Sequence, residues 1–401
     1  MLSHQRTLNR SVACEGVGLH TGERVSMTLR PAPANRGVVF HRVDLPGAPT
    51  IPARPDHVVD TQYATTVAKD GASVKTIEHL MAALAGTGVD NVQVDLTGPE
   101  VQIMDGSAMP FVEMVRQAGL RRQLAPKTFL KVRQPITVEV GTRSLRIVPS
   151  QRLKVIYTMC FDHPILGEQT SAMDVGRERF VRDLAPCRTF GFLRDLDMLQ
   201  RMGLAKGGSL ENALVIGEEG VINGPLHFPD ELVRHKVLDL MGDLFLLGKP
   251  LVGTIIAHGA GHQLHLQLVR RIQEQLAGEI EPLGLSAAAV EQWVSPLLPA
   301  APGLRAAAIG SGPSRRGASP VALPLPAPTA VPMRGLPLPS PRATPILFWT
   351  GTRHPHPIHG GHGRLACRRP PARHVPRRKE GHEVASHARP VVAVDNLTHG
   401  F

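Results

Sequence analysis

The spacing of hydrophobic residues predicts alternating strands and helices in the first 125 residues. In RVSMTLRPA (residues 24–32) and NVQVDL (91–96), apolar and polar positions alternate, as in half-buried strands. Between them, four apolar residues fall at helical spacing: Ile77, Leu80, Met81 and Leu84. Gly86 follows them where a helix C-terminal cap is expected. A second helix is predicted in PFVEMVRQAG (110–119), so this segment is mixed α and β.

The segment after Pro126 begins again with strands. The strand-like stretches are TFLKVRQPITVEV, SLRIVPS and LKVIYTMCF, between residues 128 and 161. A helix is predicted from Asp230 to Gly248, with an apolar stripe of Val233, Val237, Leu240, Met241 and Leu244. The strand LVGTIIAHG (251–259) comes next.

The two halves share one order of elements: strands, an amphipathic helix that carries histidine, a glycine, then a strand. Such an internal repeat favours two similar domains packed face to face. We therefore predict an α+β fold with domains at residues 1–125 and 126–285. Residues 286–401 form a low-complexity basic tail rich in Pro, Arg and His, which we expect to be disordered.

The distribution of charge changes what the composition implies. The formal net charge is +11, which by itself favours a nucleic-acid or membrane-surface partner. Residues 1–300 carry 31 basic and 31 acidic side chains, whereas residues 301–401 carry 14 and 3, so the whole excess lies in the tail. The tail is either a basic arm that binds nucleic acid or an anionic membrane, or an unselected extension such as out-of-frame translation of GC-rich DNA. We favour the extension, because the tail has few aromatic residues and no RGG or heptad pattern, and we expect no nucleic-acid partner.

No segment has the length and apolarity of a membrane span. The most apolar stretch, residues 244–256, is interrupted by Lys249 and Pro250 and is too short to cross a bilayer. The N-terminus lacks the apolar stretch of a secretory signal. We therefore expect a cytoplasmic protein.

The helix after residue 230 carries the first candidate chemistry. In HKVLD, His235 and Asp239 are four residues apart, so both side chains stack on one helix face within reach of a single ion. A lone pair of this kind is more often an ordinary polar helix face. Asp243 continues the same stripe and Lys236 adjoins it, which favours a functional site.

The helix in the first half carries a second candidate pair. Glu78 and His79 are adjacent in TIEHL, so their side chains leave the helix about 100° apart. One can bind a metal while the other reaches a water molecule bound to it. If the two helices meet, two histidines and one aspartate leave a coordination position open, as in a catalytic zinc site. The same ligand types also hold ferrous iron.

His262, in AGHQLH, follows the strand after the second helix. Taken alone, it is more often a core or surface histidine without function. Beside a metal-bound water it suits general-acid or electrostatic work, with Asp243 fixing the ring.

Eight motifs occur in the order seen in one known family. They are GVGLHTG, TIEHLMAALAGTGVDN, IMDGSA, FDHP, CRTFGF, GGSLENA, VRHKVLDLMGDL and GAGH, and they span roughly residues 3 to 275. In this respect the sequence resembles the zinc-dependent UDP-3-O-acyl-N-acetylglucosamine deacetylases. The resemblance implies removal of the substrate's N-acetyl group, with release of acetate, in the committed step of lipid A synthesis. It also implies a layered sandwich with the helices inside and the active site at the domain interface.

The resemblance assigns roles to matching positions. His79, His235 and Asp239 resemble the ligands of one Zn²⁺ per chain. Glu78 resembles the general base on zinc-bound water, and His262, with Asp243 as its partner, the group that stabilises the transition state and protonates the leaving amine. Thr189 resembles the hydroxyl that helps to hold the oxyanion.

Further positions resemble substrate-binding residues: Lys236 near the sugar nucleotide, and Phe161, Phe190 and Phe192 along its binding site. GFLRDLDMLQRMGLAKGGS (191–209) resembles the insert that lines a passage for the acyl chain. The partner implied is a small molecule, and a monomer is expected.

Two other classes of function stay open at this point. One is a non-enzymatic nucleic-acid or surface-binding protein led by the tail, and the other is an iron oxygenase with the same ligand trio. The oxygenase predicts dependence on dioxygen, and the binding protein predicts no bound metal.

Overall fold

The computed structural model describes residues 3–276. Their first part contains β1 (His4–Leu8), β2 (Val12–Val17), β3 (Arg24–Pro31), β4 (Val38–Arg42), β5 (Thr50–Pro52), β6 (Val58–Asp60), β7 (Thr66–Lys69), β8 (Ala72–Val74), α1 (Glu78–Thr87), β9 (Val92–Leu96), α2 (Met109–Ala118) and β10 (Leu120–Pro126). The later part contains β11 (Leu130–Lys131), β12 (Ile136–Val140), β13 (Arg143–Val148), β14 (Leu153–Cys160), β15 (Glu168–Asp174), α3 (Arg177–Arg179), β16 (Phe190–Phe192), α4 (Leu196–Arg201), β17 (Leu214–Gly217), β18 (Gly220–Val221), α5 (Glu231–Leu244), β19 (Leu251–His258) and α6 (His262–Leu276).

The two main sheets have the same strand order. The first runs β2-β3-β9-β4-β5 and the second β12-β13-β19-β14-β15, with β11 added beside β19. In each sheet the central strand is antiparallel to the strand on one side and parallel to the strand on the other. The repeat predicted from the order of elements is therefore present in the strand topology, and the α+β class is confirmed.

The alternation predicted for the first sheet follows its burial. In β3 the side chains of Val25, Met27 and Leu29 are buried while their neighbours are partly or fully exposed, because one face of the strand packs on the core. Three smaller sheets complete the described chain: β1-β10, β6-β7-β8 and β16-β17-β18.

Two helices lie at the centre of the molecule. Helix α1 comes just before the central strand of the first sheet and α5 before that of the second, and the two helices pack against each other. All ten residues of α1 are buried, as are all residues of α5 except Arg234. A helix that is buried all round lies inside a fold, so the helices form the inner layers between the sheets. The domain boundary at residue 125 stays a prediction.

One helix end differs from its prediction. Gly86 lies inside α1, and the cap is Gly88, whose φ of 80° and N–H bond to the Leu84 carbonyl end the helix. Gly86 is needed for another reason, because a Cβ there would overlap the ring of Phe180. Close packing and helix capping both require glycine, and the sequence pattern does not show which of the two roles a given glycine has.

The second half agrees with its predicted helix and adds another. Helix α5 ends at Leu244 and tightens into a 3₁₀ turn, Phe245–Leu247, before Gly248 ends it at a φ of 67°. Helix α6 was not predicted, although its buried Leu264, Leu268 and Ile272 repeat every four residues.

The limits of the described chain also bear on earlier expectations. The predicted tail, 286–401, and the predicted end of the second domain lie outside the described residues. Within residues 3–276, no helix is both long and apolar enough to cross a membrane.

Candidate active site

The contact between α1 and α5 brings the predicted residues together. Glu78 and His79 form the first turn of α1, while His235, Asp239 and Asp243 lie on successive turns of α5. The helices approach closely because a glycine follows Met241 in α5: a Cβ on Gly242 would overlap the carbonyl oxygen of Glu78.

The metal-ligating candidates converge on one buried point. Asp239 Oδ1 lies 3.5 Å from His79 Nε2 and 3.3 Å from His235 Nε2. The ring centroids of the two histidines are 4.9 Å apart, and the rings are nearly perpendicular. Asp239 Oδ1 is buried and accepts no hydrogen bond from any described residue. A buried carboxylate oxygen left without a donor is costly, so this point fits a cation.

Neighbouring groups hold His235 and Asp239 in the form that binds metal. The Cys187 carbonyl lies 3.0 Å from His235 Nδ1, which puts the proton on Nδ1 and leaves Nε2 free to coordinate. Burial lowers the pKa of His235 to about 3, so its imidazole is neutral at pH 7. Burial opposes the charged form of Asp239, but His235 and Lys236 outweigh it and hold the pKa of Asp239 well below its usual range. Lys236 Nζ donates to Asp239 Oδ2 at 3.0 Å.

A second cluster of possible ligands is satisfied by hydrogen bonds alone. Asp243, His262 and His265 lie close enough to hold an ion. However, the Nδ1 atoms of His262 and His265 lie 2.6 and 2.8 Å from Asp243 Oδ2, and each makes a hydrogen bond to it. The trio of His79, His235 and Asp239 is therefore the better metal site.

Glu78 is poised as a base beside the metal-ligating candidates. It is 3% exposed, and its Oε2 accepts the backbone N–H of Thr65 at 3.0 Å. Burial raises the pKa of Glu78, and the nearby His262 and His79 act against that rise. A carboxylate with a raised pKa takes and returns a proton more readily near neutral pH than an exposed one.

His262 begins a buried hydrogen-bonded chain. Burial works against its charged form, but the Asp243 carboxylate outweighs burial and raises the pKa of His262 to about 9. His262 in turn helps to hold the pKa of Asp243 at about 2, against the effect of burial. On the other side of Asp243, His265 Nε2 lies 3.0 Å from the hydroxyl of Tyr157. At pH 7 His262 is therefore an imidazolium and Asp243 a carboxylate.

Of the remaining predicted residues, Thr189 lies on the segment that enters the small sheet. Thr189 precedes β16, and its backbone N–H donates to the Gly106 carbonyl at 2.7 Å. Within residues 3–276, no hydrogen bond joins Thr189 to Glu78 or His262. Its side-chain methyl instead approaches Gly106.

The predicted substrate-binding aromatics form an apolar cluster of their own. Its buried members are Phe161, Phe190, Phe192, Leu214, Ile216 and Leu232. Lys236 Nζ lies 5.2 Å from the centroid of the Phe190 ring, which is a cation–π distance. The cluster therefore adjoins the metal-ligating helix through Lys236.

The insert at 191–209 presents apolar side chains to solvent. In α4 Leu199 is buried and Met198 is 43% exposed, and Met202, just after the helix, is 46% exposed. Met198 and Met202 therefore lie outside the buried core, while Leu199 belongs to it.

Two residues of the site were not anticipated from the sequence. Thr65 contacts both Glu78 and Asp243, and His265 shares Asp243 with His262. His265 had a usable signal, since it lies three residues after His262 on the same helix face. Thr65 had none, because it is 178 residues from Asp243 along the chain.

These features first define a class. Two imidazoles and a carboxylate that converge where two repeated α+β halves meet, beside a carboxylate with a raised pKa and an imidazolium, are an arrangement typical of metal-dependent enzymes.

Comparison with known proteins then gives the family. The model of the UDP-3-O-acyl N-acetylglycosamine deacetylase family matches residues 5–274. The chain is 49% identical over 270 residues to the UDP-3-O-acyl-N-acetylglucosamine deacetylase of Myxococcus xanthus strain DK1622, covering 67% of this chain and 86% of that protein. It is 48% identical over 271 residues to the enzyme of the same name from Acidithiobacillus ferrooxidans, covering 67% and 89%. The chain belongs to this deacetylase family, and the predicted resemblance is confirmed.

Proposed function

We propose that the chain hydrolyses the N-acetyl group of UDP-3-O-acyl-N-acetylglucosamine and releases acetate, in the committed step of lipid A biosynthesis, with zinc as its metal. The names of its relatives support the substrate. The observation that carries the proposal is the buried Asp239 Oδ1, which lacks a donor within residues 3–276 and faces two imidazole nitrogens. Two imidazoles and one carboxylate are a ligand set suited to catalytic zinc.

Zinc held by His79, His235 and Asp239 would polarise the amide carbonyl and lower the pKa of a water molecule. Glu78 acts as the general base, since it adjoins a metal-ligating candidate in sequence and has a raised pKa. It takes a proton from the attacking water as the new C–O bond forms. The Thr65 N–H keeps the carboxylate of Glu78 in place.

His262 acts as the general acid. Breaking the C–N bond leaves an amine nitrogen that needs a proton, and a pKa of about 9 keeps His262 protonated at pH 7. The same positive charge stabilises the oxyanion that develops on the amide carbonyl. Asp243 orients the ring through the 2.6 Å contact with Nδ1, which leaves Nε2 to face the substrate.

The other predicted residues bind the substrate. We assign Thr189 to the oxyanion, and Lys236 with Phe161, Phe190 and Phe192 to the sugar nucleotide. The exposed Met198 and Met202 offer an apolar surface for the acyl chain. We further propose that the site lies between domains at residues 1–125 and 126–285, and that the protein is a cytoplasmic monomer.

Metal analysis and an acetate-release assay on the full chain test the proposal. We expect about one zinc per chain, lost in His235→Ala, since three ligands are needed to hold it. Glu78→Gln keeps the metal and lowers kcat by about 10²- to 10⁴-fold, the usual contribution of a general base.

Two results would contradict this function. One is unchanged turnover in Glu78→Gln. The other is a purified chain that contains iron and consumes dioxygen, which would favour the oxygenase.

A further inference from the structure

Thr65 holds the carboxylates of Glu78 and Asp243 at once. It is 1% exposed and lies between β6 and β7, outside both central helices. Its backbone N–H donates to Glu78 Oε2 at 3.0 Å, and its hydroxyl donates to Asp243 Oδ1 at 2.6 Å. Its carbonyl accepts the N–H of Ile77, just before α1, at 3.4 Å. Thr65 thus ties the start of α1 to the last turn of α5.

The hydroxyl bond fixes how Asp243 presents its two oxygens. Oδ2 already accepts from His262 and His265, so Oδ1 is left for a third donor. The Thr65 hydroxyl is also 3.3 Å from His262 Nδ1, but its single proton is directed to the nearer Asp243 Oδ1. A carboxylate held at both oxygens cannot rotate without breaking a buried hydrogen bond. Asp243 therefore keeps Oδ2 aimed at His262.

We propose that Thr65 is a positioning residue of the deacetylation reaction. It fixes the position of Glu78 relative to the Asp243–His262 pair. This inference rests on the proposed function, because it gives Glu78 and His262 their roles as base and acid. The base takes a proton from the water that attacks the amide carbonyl, and the acid gives a proton to the nitrogen of the same amide. Their relative placement therefore decides the rate, and errors near 1 Å in such placement cost about 100-fold.

The neighbouring residue provides a matched control. Thr66 is also buried, but its hydroxyl has no hydrogen-bond partner within residues 3–276. Thr65→Val and Thr66→Val thus make the same chemical change one residue apart. Only the first removes a bond to the site, and it leaves the backbone bond to Glu78 in place.

The experiment compares kcat, KM, metal content and thermal unfolding of the full chain carrying Thr65→Val, Thr65→Ser, Thr65→Ala or Thr66→Val. We expect Thr65→Val and Thr65→Ala to lower kcat by about 10- to 100-fold, with KM changed less than about threefold. Thr65→Ser keeps a hydroxyl and restores most of kcat. Metal content stays at the level of the unsubstituted chain, because Thr65 contacts none of the three metal-ligating candidates.

The inference is overturned if Thr65→Val has the same kcat as Thr66→Val, or if Thr65→Ser is as slow as Thr65→Ala. Should Thr65→Val fail to fold, the Ala and Ser variants still give the comparison, and equal kcat in those two overturns it. A full chain without substitutions that releases no acetate overturns the proposed function instead.

Discussion

The Asp243 carboxylate shows how single residues set the chemistry of this site. It is 2% exposed, and a charge at that depth is unfavourable unless its oxygens are bonded. Three donors, from Thr65, His262 and His265, meet that need. They come from different parts of the chain, so Asp243 can be both buried and ionised only when the whole site is assembled. Once ionised, it keeps His262 protonated.

Asp243→Asn tests this dependence through pH. In the folded protein the pKa of His262 lies at about 9, above its ordinary 6.5. Stability and general-acid activity that depend on protonated His262 are therefore complete below pH 6.5 and lost as pH rises through 9. Without the carboxylate, burial dominates and the pKa falls. We expect the basic limb of kcat/KM to move to lower pH by at least about one unit, and kcat to fall.

The control for this prediction is Asp56→Asn. Asp56 has a side chain that is 67% exposed, so its charge is screened by water and the limb should stay in place. A basic limb in Asp243→Asn at the same pH as in the unsubstituted chain would contradict the role of Asp243.

The helix period let the sequence predict which residues of α5 lie together at this site. His235, Asp239 and Asp243 are spaced by four, so one helix necessarily presents them together. Glu78, His79 and His262 were candidates by residue type and position, and the family resemblance assigned their roles. The contacts of Thr65 and His265 depend on tertiary packing, and no local pattern marks a threonine whose partner is 178 residues away.

At the scale of elements, α1 and α5 approach each other closely beside the candidate site. Gly242 faces the backbone of Glu78, so the helix that carries His235, Asp239 and Asp243 touches the first turn of α1. Gly86 makes a similar approach near the other end of α1, but against the Phe180 ring. The sequence pattern marked neither contact, because the spacing of apolar residues does not reveal where a helix needs a missing side chain.

Gly242→Ala and Gly86→Ala separate packing from catalysis. A methyl group on Gly242 must push the backbone of Glu78 away, whereas one on Gly86 meets the ring of the buried Phe180. We expect Gly242→Ala to lower the free energy of unfolding by about 1–3 kcal/mol and to lower kcat, because Glu78 moves relative to the α5 residues.

Gly86→Ala should also lower the free energy of unfolding, yet keep kcat, since it lies two turns from Glu78. Chemical denaturation and initial-rate measurements on both variants check these outcomes. Equal kcat in the two variants would show that the α1–α5 spacing does not control the reaction.

At the scale of the molecule, the repeated halves share one hydrophobic core. A single cluster of buried residues includes Val94 of the first sheet, Leu84 of α1, Leu240 of α5 and Ile255 of the second sheet. The repeat of element order indicated two similar halves correctly. It could not indicate that they share a core, because periodicity shows which face of an element is apolar and not what covers that face.

A shared core predicts that the halves unfold together. Ile147 is fully buried in β13 of the second sheet, and Ile147→Ala should lower the free energy of unfolding by about 2–5 kcal/mol. If the halves are one cooperative unit, hydrogen exchange should then accelerate in the peptides of α1 and β9 as much as in those of β14 and β19. Leu124→Ala is the control, since Leu124 is 97% exposed and its loss should change neither set. Faster exchange confined to the second half would show that each half is stable independently, and that the active site lies between two separately folding domains.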